Sequence, residues 1–360
     1  MEFKKKFLFS VATLLFTIIS SLALFEGALR FFDLGTRDVF TANEKEFHTI
    51  TGIYAPNQSF TSKQIPALPY KVNINSLGYR GEELDLQKPK DEFRILMTGD
   101  SFTYGDFVND HETLPAQLET FLQEECPKTR VINAGLRGGT VTGQSALINR
   151  GLALNPDLVL LTFYENDIKD IANPQWPKLE KNRLTKSHFP LSAIYPIMKY
   201  TYTWGFLLKA RQTLLIKKAI KQNQELSITH KNNKQKKLED KYFNELTSLT
   251  KQLEENDTPF IFVVYPNHKT ISSGKYSLDS ILDRVIKTNI DVINLTPSIL
   301  SAPENKKAYL LPHDGHASPY GYKIAATHLS QALLSTGKYT NYRNHTPCNS
   351  LMNSKTSHGE

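Results

Sequence analysis

The chain has 360 residues, of which 40% are apolar and 22% charged, enough to bury a substantial core and too apolar for a disordered polymer. Two cysteines, Cys126 and Cys348, are too few for a disulfide-built scaffold, and neither stands in a Cys-x-x-Cys or Cys/His run of the kind that holds zinc; one bridge between them stays open. The formal charge of +7 is local: residues 181–237 hold thirteen Lys/Arg against a single acid, Glu225, and no nucleic-acid motif accompanies them, so no nucleic-acid partner is expected.

Lys4, Lys5 and Lys6 are followed by an uncharged, mostly apolar run from Phe7 to Phe25. At 1.5 Å per residue it reaches about 28 Å as a helix, close to a bilayer core. The run exceeds the usual apolar stretch of a signal peptide, and no Ala-x-Ala site precedes Glu26, so 7–25 reads as an uncleaved single-pass transmembrane anchor. The lysines hold residues 1–6 in the cytoplasm, which makes the remainder extracytoplasmic, either periplasmic or extracellular.

Residues 26–90 carry Gly52, Pro56, Pro66, Pro69 and Gly78 without a sustained period and read as a stalk or a strap laid on the domain. A domain over 91–340 follows. Short, unbroken apolar runs at 94–98, 130–133, 157–163, 259–265 and 291–295 suit strands buried on both faces of a parallel sheet. Helical patterns at 114–124, 143–154, 237–255, 277–288 and 320–334 lie between them, which predicts an α/β fold of three layers, α/β/α. The third and fourth strands are too far apart for one crossover, so 171–236 reads as a helical insertion. Within it, Leu207/Leu214 and Leu208/Leu215 recur at seven-residue spacing beside a basic run, His230–Lys237. The segment 181–237 reads as a solvated excursion or as a contact with an anionic surface. Residues 341–360 read as a polar tail.

In parallel α/β sheets the ligand crevice opens at the carboxyl ends of the strands. Gly99-Asp100-Ser101 follows the first strand, Asn133-Ala134-Gly135-Leu136-Arg137-Gly138 the second and Tyr164-Glu165-Asn166-Asp167 the third, while His313-Asp314-Gly315-His316 precedes the last helix. A serine hydroxyl needs a base held by a carboxylate, and donors aimed at the developing oxyanion. Ser101 supplies the nucleophile, His316 the base and Asp314 its orienting partner. The backbone N–H groups of Ser101 and Gly138 and the Asn166 amide supply the oxyanion donors. The pair His313/His316 lacks a third ligand, so no metal is expected. Asp110-His111-Glu112 reads as a solvated loop.

The strings GDSFTYG (99–105), NAGLRGG (133–139) and DGHASPYGY (314–322), with Asn166-Asp167, resemble the four blocks of the SGNH/GDSL hydrolases. The resemblance covers about residues 90–335, the insertion excepted, and departs from the pattern twice. Tyr164 stands where the third block often has glycine, and the last block is spaced D-x-H where D-x-x-H is frequent. It implies a flavodoxin-like sheet, no metal and no organic cofactor. The expected function is a serine esterase that removes an acyl group, acetyl being the first candidate, from a cell-envelope carbohydrate. The alternatives are acyl transfer to a sugar hydroxyl, lipid ester or lysophospholipid hydrolysis, and a catalytically silent envelope-binding protein.

Overall fold

The computed structural model describes residues 2–32, 54, 56–62, 65, 67–172, 190, 193, 198, 201–225, 228–274 and 279–335. The polar tail, most of 26–53 and much of the insertion therefore lie outside the described residues. In chain order come helix α1 (Glu2–Phe31) and strands β1 (Gln58–Ser62), β2 (Tyr70–Ile74) and β3 (Phe93–Gly99). Next are α2 (Ser101–Tyr104), α3 (Leu114–Gln123), β4 (Thr129–Gly135), α4 (Val141–Gly151), β5 (Leu158–Phe163) and α5 (Asn166–Asp170). The insertion contributes α6 (Tyr202–Glu225) and leads into α7 (Ile228–Glu255) and β6 (Phe260–Val264). The chain continues through α8 (His268–Ser273), α9 (Asp279–Lys287), β7 (Asp291–Asn294), α10 (Thr296–Ser301) and α11 (Pro319–Ser335).

Two compact units result, one spanning 1–44 and 181–228 and holding α1 and α6, the other spanning 45–180 and 229–360. In the second, five parallel strands pair in the order β4-β3-β5-β6-β7. Counted along the chain this is 2-1-3-4-5, the flavodoxin-like order, whose switch point lies between β3 and β5. Every residue of β3 and β5 is buried, as a strand covered on both faces requires. Ile95 and Met97 point into a core shared with α3 and α11, whereas Leu96 points into one shared with α4, α7 and α9.

The helices follow their apolar spacing. In α3, Leu114, Leu118 and Leu122 recur every four residues and are buried, and the Thr113 hydroxyl accepts from Ala116 N–H as the N-cap. In α7, Tyr242, Leu246, Leu249 and Leu253 form the buried stripe. No glycine or proline interrupts 228–255, so the helix runs back through the basic stretch His230–Lys237. That stretch, expected within the insertion, is thus part of the first half of a crossover helix, with Asn233, Lys234, Lys236 and Lys237 exposed.

Part of the stalk or strap is built into the domain. Along β2, Tyr70, Val72 and Ile74 are buried and alternate with Lys71 and Asn73, the short two-residue period of an antiparallel strand. Bridges from Ile74 to Arg80 and from Arg80 to Asn133 carry the strap onto the outer edge of β4. The Arg80 side chain is fully buried there. It donates to the carbonyls of Tyr104 (2.8 Å), Gly105 (2.6 Å) and Val108 (2.7 Å) and to Asp110 Oδ1 (2.7 Å). Asp110 also accepts from Asn73 N–H at 2.9 Å and from its side-chain amide at 2.6 Å. In the expected solvated loop His111 is exposed, but Asp110 is half-buried and paired with the buried Arg80, because a distant arginine reaches it. Arg80→Ala strips donors from three carbonyls and a carboxylate, and should lower stability by about 3–5 kcal/mol. Chemical denaturation measures this, and a loss below about 1 kcal/mol would reduce the pair to a surface-type bridge.

Cys126 is disulfide-bonded, and Cys348, the other cysteine of the sequence, lies outside the described residues.

Candidate active site

β3 ends at Gly99, and Ser101 opens the single turn of α2, with the buried Asp100 as its cap: the Asp100 carboxylate accepts from Phe102 N–H at 2.8 Å. The turn presses against the end of β4. A Cβ on Gly135 would come within 2.1 Å of Tyr104 N, so only glycine allows that approach. Ser101 is 9% exposed, so its hydroxyl sits low in the rim.

His316 reaches this hydroxyl from the turn before α11, with its Nε2 2.7 Å from Ser101 Oγ. Its Nδ1 faces Asp314 Oδ1 in a short hydrogen bond, and the same oxygen accepts from His316 N–H at 2.8 Å. The D-x-H spacing lets one carboxylate hold both the ring and the backbone of the histidine. Nδ1–H donates to Asp314, which leaves Nε2 free to accept the serine proton. The turn is pinned in its own right, because Leu310 N–H donates to His316 O at 2.9 Å. His313 is exposed and both ring nitrogens of His316 are occupied, so the two histidines do not form a pair of free ligands.

Burial opposes charge on His316, but the Asp314 hydrogen bond and the carboxylates of Asp106, Asp314 and Asp100 outweigh it and raise its pKa above the ordinary 6.5. Burial acts on Asp314 in the opposite sense, and its hydrogen bonds and charge interaction with His316 overcome it, so its pKa falls. Asp100 is pushed up to about 6 by burial, relieved in part by Phe102 N–H, the His316 charge and the Asn166 side chain. Asn166, the first residue of α5, is therefore beside the residue that precedes Ser101. Its Oδ1 is buried without a hydrogen-bond partner. Asp167 accepts from Tyr164 N–H at 3.2 Å and from Gln144 Nε2 at 3.4 Å, which closes the turn carrying Asn166. Burial, then the Asp100 charge, lifts its pKa well above the carboxylate range.

Gly138 follows β4 at φ +63°, a backbone conformation that favours glycine. Its loop adjoins β3, since Gly99 pairs with Gly135 and Leu136 N–H donates to Gly99 O at 2.9 Å. Ser101, His316 and Asp314 thus form one hydrogen-bonded line, with Asn166 reached through Asp100 and Gly138 on the neighbouring strand's loop.

Several residues that motif reading passed over shape the surroundings. Phe102 stacks on Tyr164 at 3.9 Å between centroids and on His316 at 5.0 Å. Tyr164, in the place where glycine is frequent, is therefore packed into an aromatic wall. Phe107 meets the His316 ring edge-on at 5.3 Å and holds φ +65°, a strained conformation for an aromatic residue. Asp106 is buried and paired with Arg137 at 2.5 Å, which ties the loop after Ser101 to the NAGLRGG turn. The spacing of aromatic residues in GDSFTYGDF was the available signal for Phe102 and Phe107; Asp106 and Arg137 carried none beyond their opposite charges. A cavity of about 830 Å³ lies between the strap hairpin and β4, and none of Ser101, Gly138, Asn166, Asp314 and His316 lines it.

No family model matches the chain, and no curated protein does. Among solved structures it is similar to a member of the lipolytic protein G-D-S-L family from Veillonella parvula DSM 2008, at 14% identity over 68% of this chain and 100% of that one, with a TM-score of 0.38. A lipase/acylhydrolase from Enterococcus faecalis aligns at 13% identity over 67% of this chain and 95% of that one, with a TM-score of 0.36. A catalytic mutant of an acetylxylan esterase from Geobacillus stearothermophilus aligns at 16% identity over 69% and 98%, with a TM-score of 0.39. These likenesses carry no argument at such scores, and the structure itself shows a parallel α/β sheet of flavodoxin-like order with Ser101, His316 and Asp314 in one hydrogen-bonded line at its rim.

Proposed function

We propose that the chain is a membrane-tethered serine esterase whose domain works outside the cytoplasm, removing an acyl group, acetyl first among candidates, from a cell-envelope carbohydrate. The observation that carries the reaction class is the 2.7 Å contact between Ser101 Oγ and His316 Nε2 with Asp314 behind the ring. In the proposed reaction Ser101 Oγ attacks the ester carbonyl carbon while its proton passes to His316 Nε2. The tetrahedral oxyanion is met by the N–H groups of Ser101 and Gly138 and by the Asn166 amide. Collapse breaks the bond to the alcohol oxygen, which leaves with the proton from His316. Water then attacks the acyl-serine, its proton goes to His316, and the carboxylate departs as Ser101 recovers its hydrogen.

Support for the location comes from the apolar α1, long enough to cross a bilayer and carrying Lys4–Lys6 in its first turns. The basic segment 181–237 is the candidate contact with an anionic surface. A carbohydrate substrate fits an envelope location and a rim bearing Asn166 and polar backbone. The full chain in detergent, given O-acetylated polysaccharide, should release acetate in a Ser101-dependent manner. Acetate appearing on an added sugar acceptor would make the enzyme a transferase. Inertness towards this polymer and towards an aryl ester would leave a silent binding protein.

The pH profile tests the base. Because His316 must be neutral to accept the proton, kcat/KM should fall as pH drops through its pKa, with an acid limb above 6.5. Asp314→Asn removes the partner that raises that pKa. The limb should then move to lower pH and the plateau should drop. An acid limb unaffected by the substitution would dismiss Asp314 as the partner.

A further inference from the structure

The unit formed by α1 and α6 contains a contact for which hydrolysis has no use. The Glu26 carboxylate accepts from the backbone N–H of Tyr202 (2.9 Å) and Thr203 (2.8 Å), from the Thr203 hydroxyl (2.8 Å) and from Arg30 Nε (2.8 Å). Tyr202 and Thr203 open α6, so a side chain of the apolar helix supplies acceptors for the unpaired N–H groups of another helix. Phe25 meets Phe206 edge-on at 5.8 Å, and Arg30 lies over the Tyr202 ring at 5.3 Å. Hydrogen bonds, ring contact and cation–π contact all fall within 25–30 of α1 and 202–206 of α6.

Past this clasp α6 presents an unusual surface. Leu207, Leu214 and Leu215 are 51%, 68% and 55% exposed, and Arg211, Lys217 and Lys218 are exposed beside them. Leu207, Arg211, Leu214 and Lys218 are spaced by four, three and four residues and so share one face of the helix. Leucines separated by cations make a poor face for bulk water and a good one for a headgroup layer. There the leucines reach the acyl boundary while the long basic side chains extend to lipid phosphates. The clasp also fixes where α6 begins: Glu26 immediately follows the apolar run Phe7–Phe25, at the depth where hydrocarbon gives way to headgroups.

We infer that α6 lies in the outer headgroup layer of an anionic bilayer, seated there by the Glu26 clasp at the point where α1 leaves the membrane. The inference rests on α1 spanning the membrane and is independent of catalysis. The occupant of the leucine face is lipid because the surface is continuous with the anchor and its charge is opposite to that of anionic headgroups.

The full chain is reconstituted in nanodiscs of phosphatidylcholine with or without phosphatidylglycerol, carrying a nitroxide at Leu214→Cys. A label at Thr120→Cys, exposed on α3, serves as the water reference. Accessibility to oxygen is compared with accessibility to a water-soluble nickel chelate. With phosphatidylglycerol present, the oxygen-to-nickel ratio at 214 should exceed the reference several-fold. It should fall when Arg211, Lys217 and Lys218 are changed to Glu, and Glu26→Ala should return it towards the reference. Glu26→Gln, which keeps an acceptor without the charge, should fall between. A ratio at 214 equal to the reference would overturn the interfacial placement. Immersion indifferent to lipid charge would overturn the anionic-lipid assignment, and immersion indifferent to Glu26→Ala would overturn the clasp. Alkaline carbonate extraction tests the anchor separately, since a protein released by it would refute the span and not merely the position of α6.

Discussion

Ser101→Ala and His316→Ala should each lower kcat for a short-chain aryl ester by about 10³-fold or more, and the double variant should be little worse than either. Ser101 Oγ and His316 Nε2 share one proton across 2.7 Å, so removing either group removes the same step. Stability should change little, because Ser101 is small and His316 contributes mainly ring contacts with Phe102 and Phe107. Steady-state kinetics on protein of verified fold decides the matter. A single variant retaining most of its kcat would remove that residue from the reaction, and additive losses would mean that the two act in separate steps.

Asn166→Ala should cost about 10²–10³ in kcat, the usual consequence of deleting one oxyanion donor. Two effects meet at this residue. The amide is a candidate donor to the oxyanion, and it also eases the buried Asp100, whose carboxyl is already pushed up to about 6. Its removal should therefore raise the Asp100 pKa further as well as lower turnover. Asn166→Asp separates the two, since a carboxylate cannot donate and adds charge beside Asp100: turnover should fall at least as far as with alanine. Unchanged kcat in Asn166→Ala would leave the amide a purely structural group.

The sheet was legible because strands buried on both faces are written as unbroken apolar runs, and the observed β3, β4 and β5 extend the expected spans by at most two residues or start one residue later. The meeting of Ser101, His316 and Asp314 was legible for a related reason: each follows a strand or precedes the final helix, so the motif and the architecture point to the same rim. What escaped depends on partners far apart in sequence. Nothing near Arg80 announces that its guanidinium will collect the carbonyls of Tyr104, Gly105 and Val108, and Asp110 looked solvated for the same reason. The alternation in β2 spans five residues between prolines and glycines, too short to rise above its surroundings. The basic stretch at 230–237 falls within the expected insertion on the long separation of the third and fourth strands, although the absence of any helix breaker after Ile228 is the better guide. Glu26 marked only the end of an apolar run, and its meaning depends on the start of α6, 176 residues further along.

Ser101 is proposed as an activated nucleophile. Incubating the full chain with a fluorophosphonate and measuring intact mass tests this most directly, because the reagent bonds to a serine oxygen only when a neighbouring base takes its proton. A single adduct on the wild-type chain, absent from Ser101→Ala and strongly reduced in His316→Ala, is the predicted result. An unmodified wild-type chain, or an adduct that persists in Ser101→Ala, would contradict the account.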